Sequence, residues 1–402
     1  MVGAIAPVEL SQPVHCDVRA PVPGVCFRVA TSDDDAALRL LLRDNPMAGE
    51  VSLSREREPS YFAAAEIEGD EHQTIVSEEN GRIICIGSVS TRLRYVNGRP
   101  MRVGYLGGLR LDARCRNRVS ILRGGFDLFR RLHEAGGPPI YLTSIVADNA
   151  PARRLLERGL PGMPTYRHVG DFVTLVVRRR RNGEFSKPTS SVRRRLRDLG
   201  LRLEYGTDAA LPQVADLLNR CAAEYQFAPA WSADDLRSTR HCPGLAAGDF
   251  RIARAADGAA VACAALWDQR AVKQTVVRGY SPRLGRLRPL VNLVAMLRRR
   301  PRLPPVGWPI RLGFVSHVAA DAGRTELVEL LVNLLHGHAH TRGIDYLTLG
   351  FDALDPRLPR LRKRFRPREY HSRLYAVHWD EQGQALARGL DGRLPAPEVA
   401  LL

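Results

Sequence analysis

Apolar and polar positions change their period in the same order twice along this chain. Cys26–Ala30 carries a short strand pattern, and Thr31-Ser32-Asp33 then opens the helical run AALRLLL. Near Leu201 the order begins again, with LRLEYG leading to Thr207-Asp208 and AALPQVADLL. Ser and Thr at a helix start accept hydrogen bonds from free N–H groups, and Asp suits the positive helix end. A hairpin signal follows in each unit, Asn80-Gly81 in the first and Asp257-Gly258 in the second, because these pairs tolerate the positive φ of tight turns. The first unit continues with a helix within Ser54–Glu68, a meander over Thr74–Ser77, Ile83–Arg94 and Met101–Leu111, and a long helix over Val119–Ala135. A buried strand over Ile140–Val146, a helix over Ala150–Arg158 and a closing strand over Asp171–Val177 complete it. The second unit repeats the late elements at Arg311–Val318, Thr325–Thr341, Tyr346–Phe351 and Arg373–Val377.

Identities support a duplication. Tyr141, Leu142, Thr143, Pro151 and Leu156 match Tyr346, Leu347, Thr348, Pro356 and Leu361 at one constant spacing, the mark of a repeated unit. The second unit carries an insertion, Ser281–Gly307, whose helix places Leu284, Leu287, Leu290, Val291, Val294 and Leu297 at amphipathic spacing. Burial of this helix against the other unit is expected, with Arg298–Arg300 left to meet an acidic partner. Between the units, Arg178–Arg181, Asn182-Gly183 and Lys187-Pro188 read as a linker. The expected organisation is a disordered tail over 1–22, a domain over 23–178, a basic linker over 179–199, a second domain over 200–380 and a C-terminal tail over 381–402.

Composition narrows the function classes. The net charge is +17, which suits an anionic partner: nucleic acid, an acidic membrane surface or a phosphorylated cofactor. The only lysines are Lys187, Lys273 and Lys363, so the arginine excess points to a GC-rich genome filling solvated faces as the source of much of that charge. No apolar run is long enough to span a membrane, and the start of the chain lacks a basic signal-peptide region. The seven scattered cysteines include no CxxC pair, so neither a disulfide framework nor a metal site is expected, and the cytoplasm is the expected compartment. His336, His338 and His340 put only two imidazoles on one helix face and predict no metal.

The chemistry concentrates where a strand runs into a loop that opens a long helix. Free N–H groups and the helix dipole favour a phosphate there. That loop holds Arg114, Arg116 and Arg118, able to make charge-assisted bonds to a pyrophosphate. Strand, basic loop, helix, buried strand and then DNAPARRLLERGLP together resemble the GNAT acyltransferase superfamily, whose last element reads roughly N-x-x-A-x-x-L-Y-E-x-x-G-F. Asn149, Ala152, Leu155 and Glu157 fit; Gly159 falls one position early and Leu156 stands at the usual tyrosine. The resemblance covers about Val25–Val177 and, more weakly, Leu201–Trp379.

What the resemblance implies is an α+β chain of two tandem GNAT folds, each a mixed, mostly antiparallel twisted sheet flanked by helices. It implies an acyl-CoA cosubstrate, acetyl-CoA first, and a small-molecule or peptide amine acceptor that attacks the thioester directly. Its fourth and fifth strands splay apart, and the pantetheine arm pairs with the fourth, here near Leu109 and Leu111. Arg116, Asn117, Arg118, Val119, Ser120, Ile121 and Asn149 fall at the remaining cofactor-binding positions. Val119 and Ile121 replace small residues of the family loop, so their Cβ atoms threaten the phosphate cradle. Candidate catalytic residues are Asp112 and Tyr105 at the fourth strand and His317 in its counterpart. Two other readings compete: a non-catalytic acyl-CoA or partner-binding protein, and an aminoacyl-tRNA-dependent transferase of the Fem kind, for which no RNA-reading module is visible.

Overall fold

The computed structural model describes residues 22–115, 118–178 and 188–402. The first half runs β1 (Val25–Val29), α1 (Asp35–Asp44), β2 (Val51–Glu56), α2 (Tyr61–Ala65), β3 (Glu71–Glu79), β4 (Arg82–Val96), β5 (Arg99–Leu111), α3 (Val119–Glu134), β6 (Tyr141–Val146), α4 (Ala150–Glu157) and β7 (Thr165–Arg178). The second half follows with α5 (Pro188–Asp198), β8 (Arg202–Tyr205), α6 (Leu211–Ala222), α7 (Ala233–Arg237), β9 (Phe250–Arg254), β10 (Ala260–Trp267), β11 (Gln274–Tyr280) and α8 (Pro282–Leu297). It ends with β12 (Leu312–Ala320), α9 (Thr325–Thr341), β13 (Tyr346–Asp352), α10 (Leu358–Phe365), β14 (Arg368–His378) and α11 (Glu381–Arg388). The α+β class and the repeated order are those expected. The helix expected within Ser54–Glu68 is the short α2, preceded by the end of β2.

The expected closing strand does not close its own half. One sheet runs through the molecule in the order β1-β3-β4-β5-β6-β14-β7-β13-β12-β10-β9-β8. The halves trade their last strands: β14 lies between β6 and β7, and β7 pairs with β13. The physical reason is visible in the residues. Phe172, Val173, Leu175 and Val177 are all buried, on both faces of the sheet, and a near-continuous apolar run suits a central strand better than an edge. A second exchange pairs β2 of the first half with β11 of the second.

Helices cover both faces. α3 buries Ile121, Leu128 and Phe129 against Phe27, Ile75 and Tyr141, while α1 and α2 bury Leu38, Leu41 and Tyr61 on Val76 and Ile86. The segment expected as linker contains α5, whose Val192 and Leu196 join the core beneath α9; residues 179–187 lie outside the described set, as does 1–21 of the expected tail. The C-terminal segment is folded, not loose: α11 contacts β14, and Val399, Ala400 and Leu401 are buried. Cys26 is disulfide-bonded, and Cys85, Cys115, Cys221, Cys242 and Cys263 are free.

Candidate active site

Parallel strands β5 and β6 pair over only three residues, Gly104–Leu106 with Tyr141–Thr143. The Thr143 hydroxyl donates to the Leu106 carbonyl at 2.7 Å, and beyond this lock the strands part. β6 pairs on its other side with β14 throughout, while among the described residues Gly107, Arg110 and Leu111 pair only with β4. Residues 107–111 therefore offer a strand edge toward a gap. A β-bulge interrupts the same stretch between Ile86 and Ser88 on β4, and Gly108 sits there at φ +65°. A bulge leaves its extra residue outside the ladder, often beside an active site.

The second half repeats the geometry. β12 and β13 pair over Leu312–Phe314 and Tyr346–Thr348, and a bulge follows at His317, φ +52°. This gap is occupied by the chain itself. The His317 N–H donates to Glu398 at 2.9 Å, and a Cβ placed on Gly350 would lie 3.0 Å from Val399. A cavity of about 80 Å³ remains, lined among others by Leu218, Tyr225, Trp231, His317, Arg357 and Glu398.

The expected cofactor residues divide into groups. Ile121 is buried in the first-half core while Val119 and Ser120 are exposed at the start of α3. Leu109 is exposed and Leu111 half-buried on the open edge. Arg118 is held by Glu79 at 2.8 Å, and Arg116 and Asn117 lie outside the described residues. Asn149 is a helix cap, its side chain accepting from the Ala152 N–H at 3.3 Å, which accounts for its identity without a ligand.

Among the catalytic candidates, Asp112 is the weakest base. Side-chain bonds from Arg114, aided by its backbone N–H and by Arg82, hold its carboxyl down to about 2. Tyr105 fares better. Its hydroxyl lies 3.2 Å from Ser144 Oγ, at the mouth of the gap, and burial raises its pKa. His317 is sealed among Trp231, Phe250 and Trp267, and burial pushes its pKa down to about 3. It is a neutral imidazole in the occupied gap, with Nδ1 2.9 Å from Ser316 Oγ.

Sequence reasoning missed a buried polar row on the face of the sheet that carries Tyr105. Antiparallel register sets His72 opposite Ser90, and Ser90 opposite Tyr105. His72 Nδ1 lies 2.8 Å from Ser90 Oγ and Nε2 3.1 Å from Thr74 Oγ1. Burial lowers the His72 pKa to about 4 despite the nearby Glu68. Burial works to raise Glu68, but Arg57, Lys273 and His72 outweigh it and hold the carboxyl at about 2. No local motif signals these residues; strand register alone assembles them. The same face buries Arg92 and Arg94. Arg92 stacks over Trp231 at 4.1 Å, and Arg94 Nη1 donates to the Phe227 carbonyl at 3.2 Å. Both Arg92 Nη atoms, and Nε and Nη2 of Arg94, have no partner among the described residues.

The neutral histidines fix the acid response. His72 and His317 have folded pKa values below the unfolded 6.5, so the unfolded chain takes up protons first as pH falls. Their contribution is complete above pH 6.5 and is lost toward pH 4 and pH 3 respectively. Urea unfolding across pH 7 to 4 is expected to show this decline, and His317→Asn, which tolerates positive φ, to flatten it.

No protein-family model and no curated protein matches the sequence. Solved structures match its fold. The N-myristoyltransferase of Saccharomyces cerevisiae with bound myristoyl-CoA is 11% identical at TM-score 0.56, covering 92% of this chain and 85% of that one. A GCN5-related N-acetyltransferase from Sphaerobacter thermophilus is 14% identical at TM-score 0.52, covering 88% and 96%. The chain carries the GNAT fold twice. A glucosamine N-acetyltransferase region of a fungal multi-domain β-N-acetylglucosaminidase also matches, at 12% identity and TM-score 0.56, covering 89% of this chain and 38% of that one. In GNAT terms the β5–β6 gap is the strand splay of the first half, open at its edge. The β12–β13 gap is the splay of the second, filled by residues 395–401.

Proposed function

We propose that the protein is an acyl-CoA-dependent N-acyltransferase whose donor enters the splay of the first half. One contrast carries this reading: residues 107–111 present a strand edge, with a glycine bulge, that no other strand among the described residues pairs, whereas the matching edge in the second half is bonded to Glu398. Pantetheine amides extend the edge of β5, and the diphosphate meets the N–H groups that open α3. The N–H of the bulge is the donor suited to polarising the thioester carbonyl. An acceptor amine attacks that carbon, the C–N bond forms as the C–S bond breaks, and Tyr105 gives its proton to the departing thiolate. The amine's proton passes through Ser90 to the neutral His72, 2.8 Å away. Arg92 and Arg94 favour an acceptor that also carries a negative group, since their spare donors lie on the same face.

Calorimetric titration with acetyl-CoA and longer acyl-CoAs tests the donor site. Saturable binding is expected, with Arg116→Ala and Arg118→Ala each weakening it at least about tenfold, roughly 1.4 kcal/mol. No binding at any chain length removes the reading. Binding without turnover over a broad amine panel favours a non-catalytic role instead, a reading that the ion-paired Asp112 and Arg118 support. For Tyr105→Phe, steady-state kinetics are expected to show kcat lowered at least about tenfold with the donor KM unchanged. An unchanged kcat takes the proton transfer away from Tyr105.

A further inference from the structure

Helix α8 is built inside out. Its half-buried or buried positions are Leu284, Arg288, Asn292 and Ala295, spaced to form one face of a helix. The polar members of that face hold it to the protein. Asn292 bonds both backbone groups of Leu303, at 2.7 and 3.1 Å, and Arg288 reaches the Leu303 carbonyl and lies over the Tyr280 ring. The apolar residues turn outward: Leu287, Leu290, Val291, Leu293, Val294, Met296 and Leu297 are all exposed, Leu297 by 73%. The loop after the helix extends the patch with Val306 and with Trp308, itself 63% exposed. The expected burial against the other half does not occur. An apolar face this size, held outward by bonds from the polar one, marks an interaction surface.

Charge identifies what covers it. Arg283 and Arg286 stand at one end of the helix, Arg298, Arg299, Arg300 and Arg302 at the other, and all are exposed. From Ser281 to Ala320 the sequence contains no Asp or Glu. A second copy docked on this face would bring arginine clusters against arginine clusters, with no carboxylate to separate them. An anionic bilayer surface supplies both missing partners, acyl chains for the leucines and lipid phosphates for the arginines. A tryptophan at the rim suits the headgroup region. No helix among the described residues is long and apolar enough to cross a membrane, so α8 lies in the interface. We infer that the α8 insertion is a membrane-docking element that binds the surface of anionic lipid bilayers. This holds whether or not the acyl-transfer reading does.

The test is flotation of the full chain with vesicles of phosphatidylcholine alone or containing one part in four phosphatidylglycerol, with Trp308 fluorescence as a local reporter. Expected are binding at least about tenfold tighter to the anionic vesicles, weakening with salt, and a blue shift that Trp308→Phe removes. Leu290→Glu with Leu297→Glu, both at exposed positions, is expected to abolish binding and leave the circular dichroism spectrum unchanged. Replacing Arg298, Arg300 and Arg302 by glutamine is expected to remove the preference for anionic lipid. Absence of flotation at low salt overturns the inference. So does concentration-dependent self-association, seen by sedimentation, that the paired glutamates abolish, because it makes the face a contact between copies.

Discussion

Replacing Glu68 by alanine is expected to destabilise the protein by about 3–5 kcal/mol, the usual cost of leaving a buried charge without its partner. Glu68 receives Arg57 at 2.5 Å from the first half and Lys273 at 3.2 Å from the second, and His72 lies 3.8 Å away. Removing the carboxylate strands the buried Arg57 and the half-buried Lys273, one from each half, at the joint beside the β2–β11 exchange. Its folded pKa lies below the unfolded value, so the contribution is present above about pH 4.5 and fades as pH falls toward 2. Urea unfolding at pH 7 measures the loss. Glu68→Gln keeps the shape and loses the charge, and it should fall between wild type and alanine. A cost under about 1 kcal/mol for alanine would mean that water, rather than Glu68, satisfies the cations.

Gly108→Val is expected to weaken acyl-CoA binding about a hundredfold, close to 2.7 kcal/mol. A branched residue at φ +65° is strained by about 1–3 kcal/mol, and its Cβ would meet Ser88 Oγ at 3.0 Å. The bulge must then move, and the edge it presents to the donor moves with it. Gly81→Val is the control. Gly81 also has positive φ, +73°, in the β3–β4 turn, with open space about it, so it should lose comparable stability and keep its donor affinity. Equal loss of affinity in both variants would reduce the bulge to a matter of folding.

Element order was legible in the sequence because each element imposes its own period on apolar residues. Strand exchange was not, because β7 meets β13 and β14 across a large sequence separation that periodicity does not encode. The run FVTLVV held a hint, being too uniformly apolar for an edge. Tyr105 came from its position on the fourth strand of the resemblance, and the structure sets its hydroxyl 3.2 Å from Ser144 Oγ. His72 and Ser90 are single polar letters in otherwise ordinary strands, and only the β3–β4–β5 register lines them up with Tyr105; Glu68 is one more, in the turn before β3. Asn149 caps α4 through its side chain, a role that the sequence does not separate from ligand binding by the same residue type. In α8 the leucine spacing revealed an amphipathic helix but not which face turns inward. That depended on Asn292 finding Leu303.

The same contrast between the two splays admits a direct measurement. Hydrogen exchange followed by mass spectrometry, with and without saturating acyl-CoA, reports the amides of both strand edges in one experiment. Protection gained by the peptide spanning 107–111, with the one spanning 315–320 unchanged, is the predicted result. Protection that appears only at 315–320, or at neither edge, contradicts it.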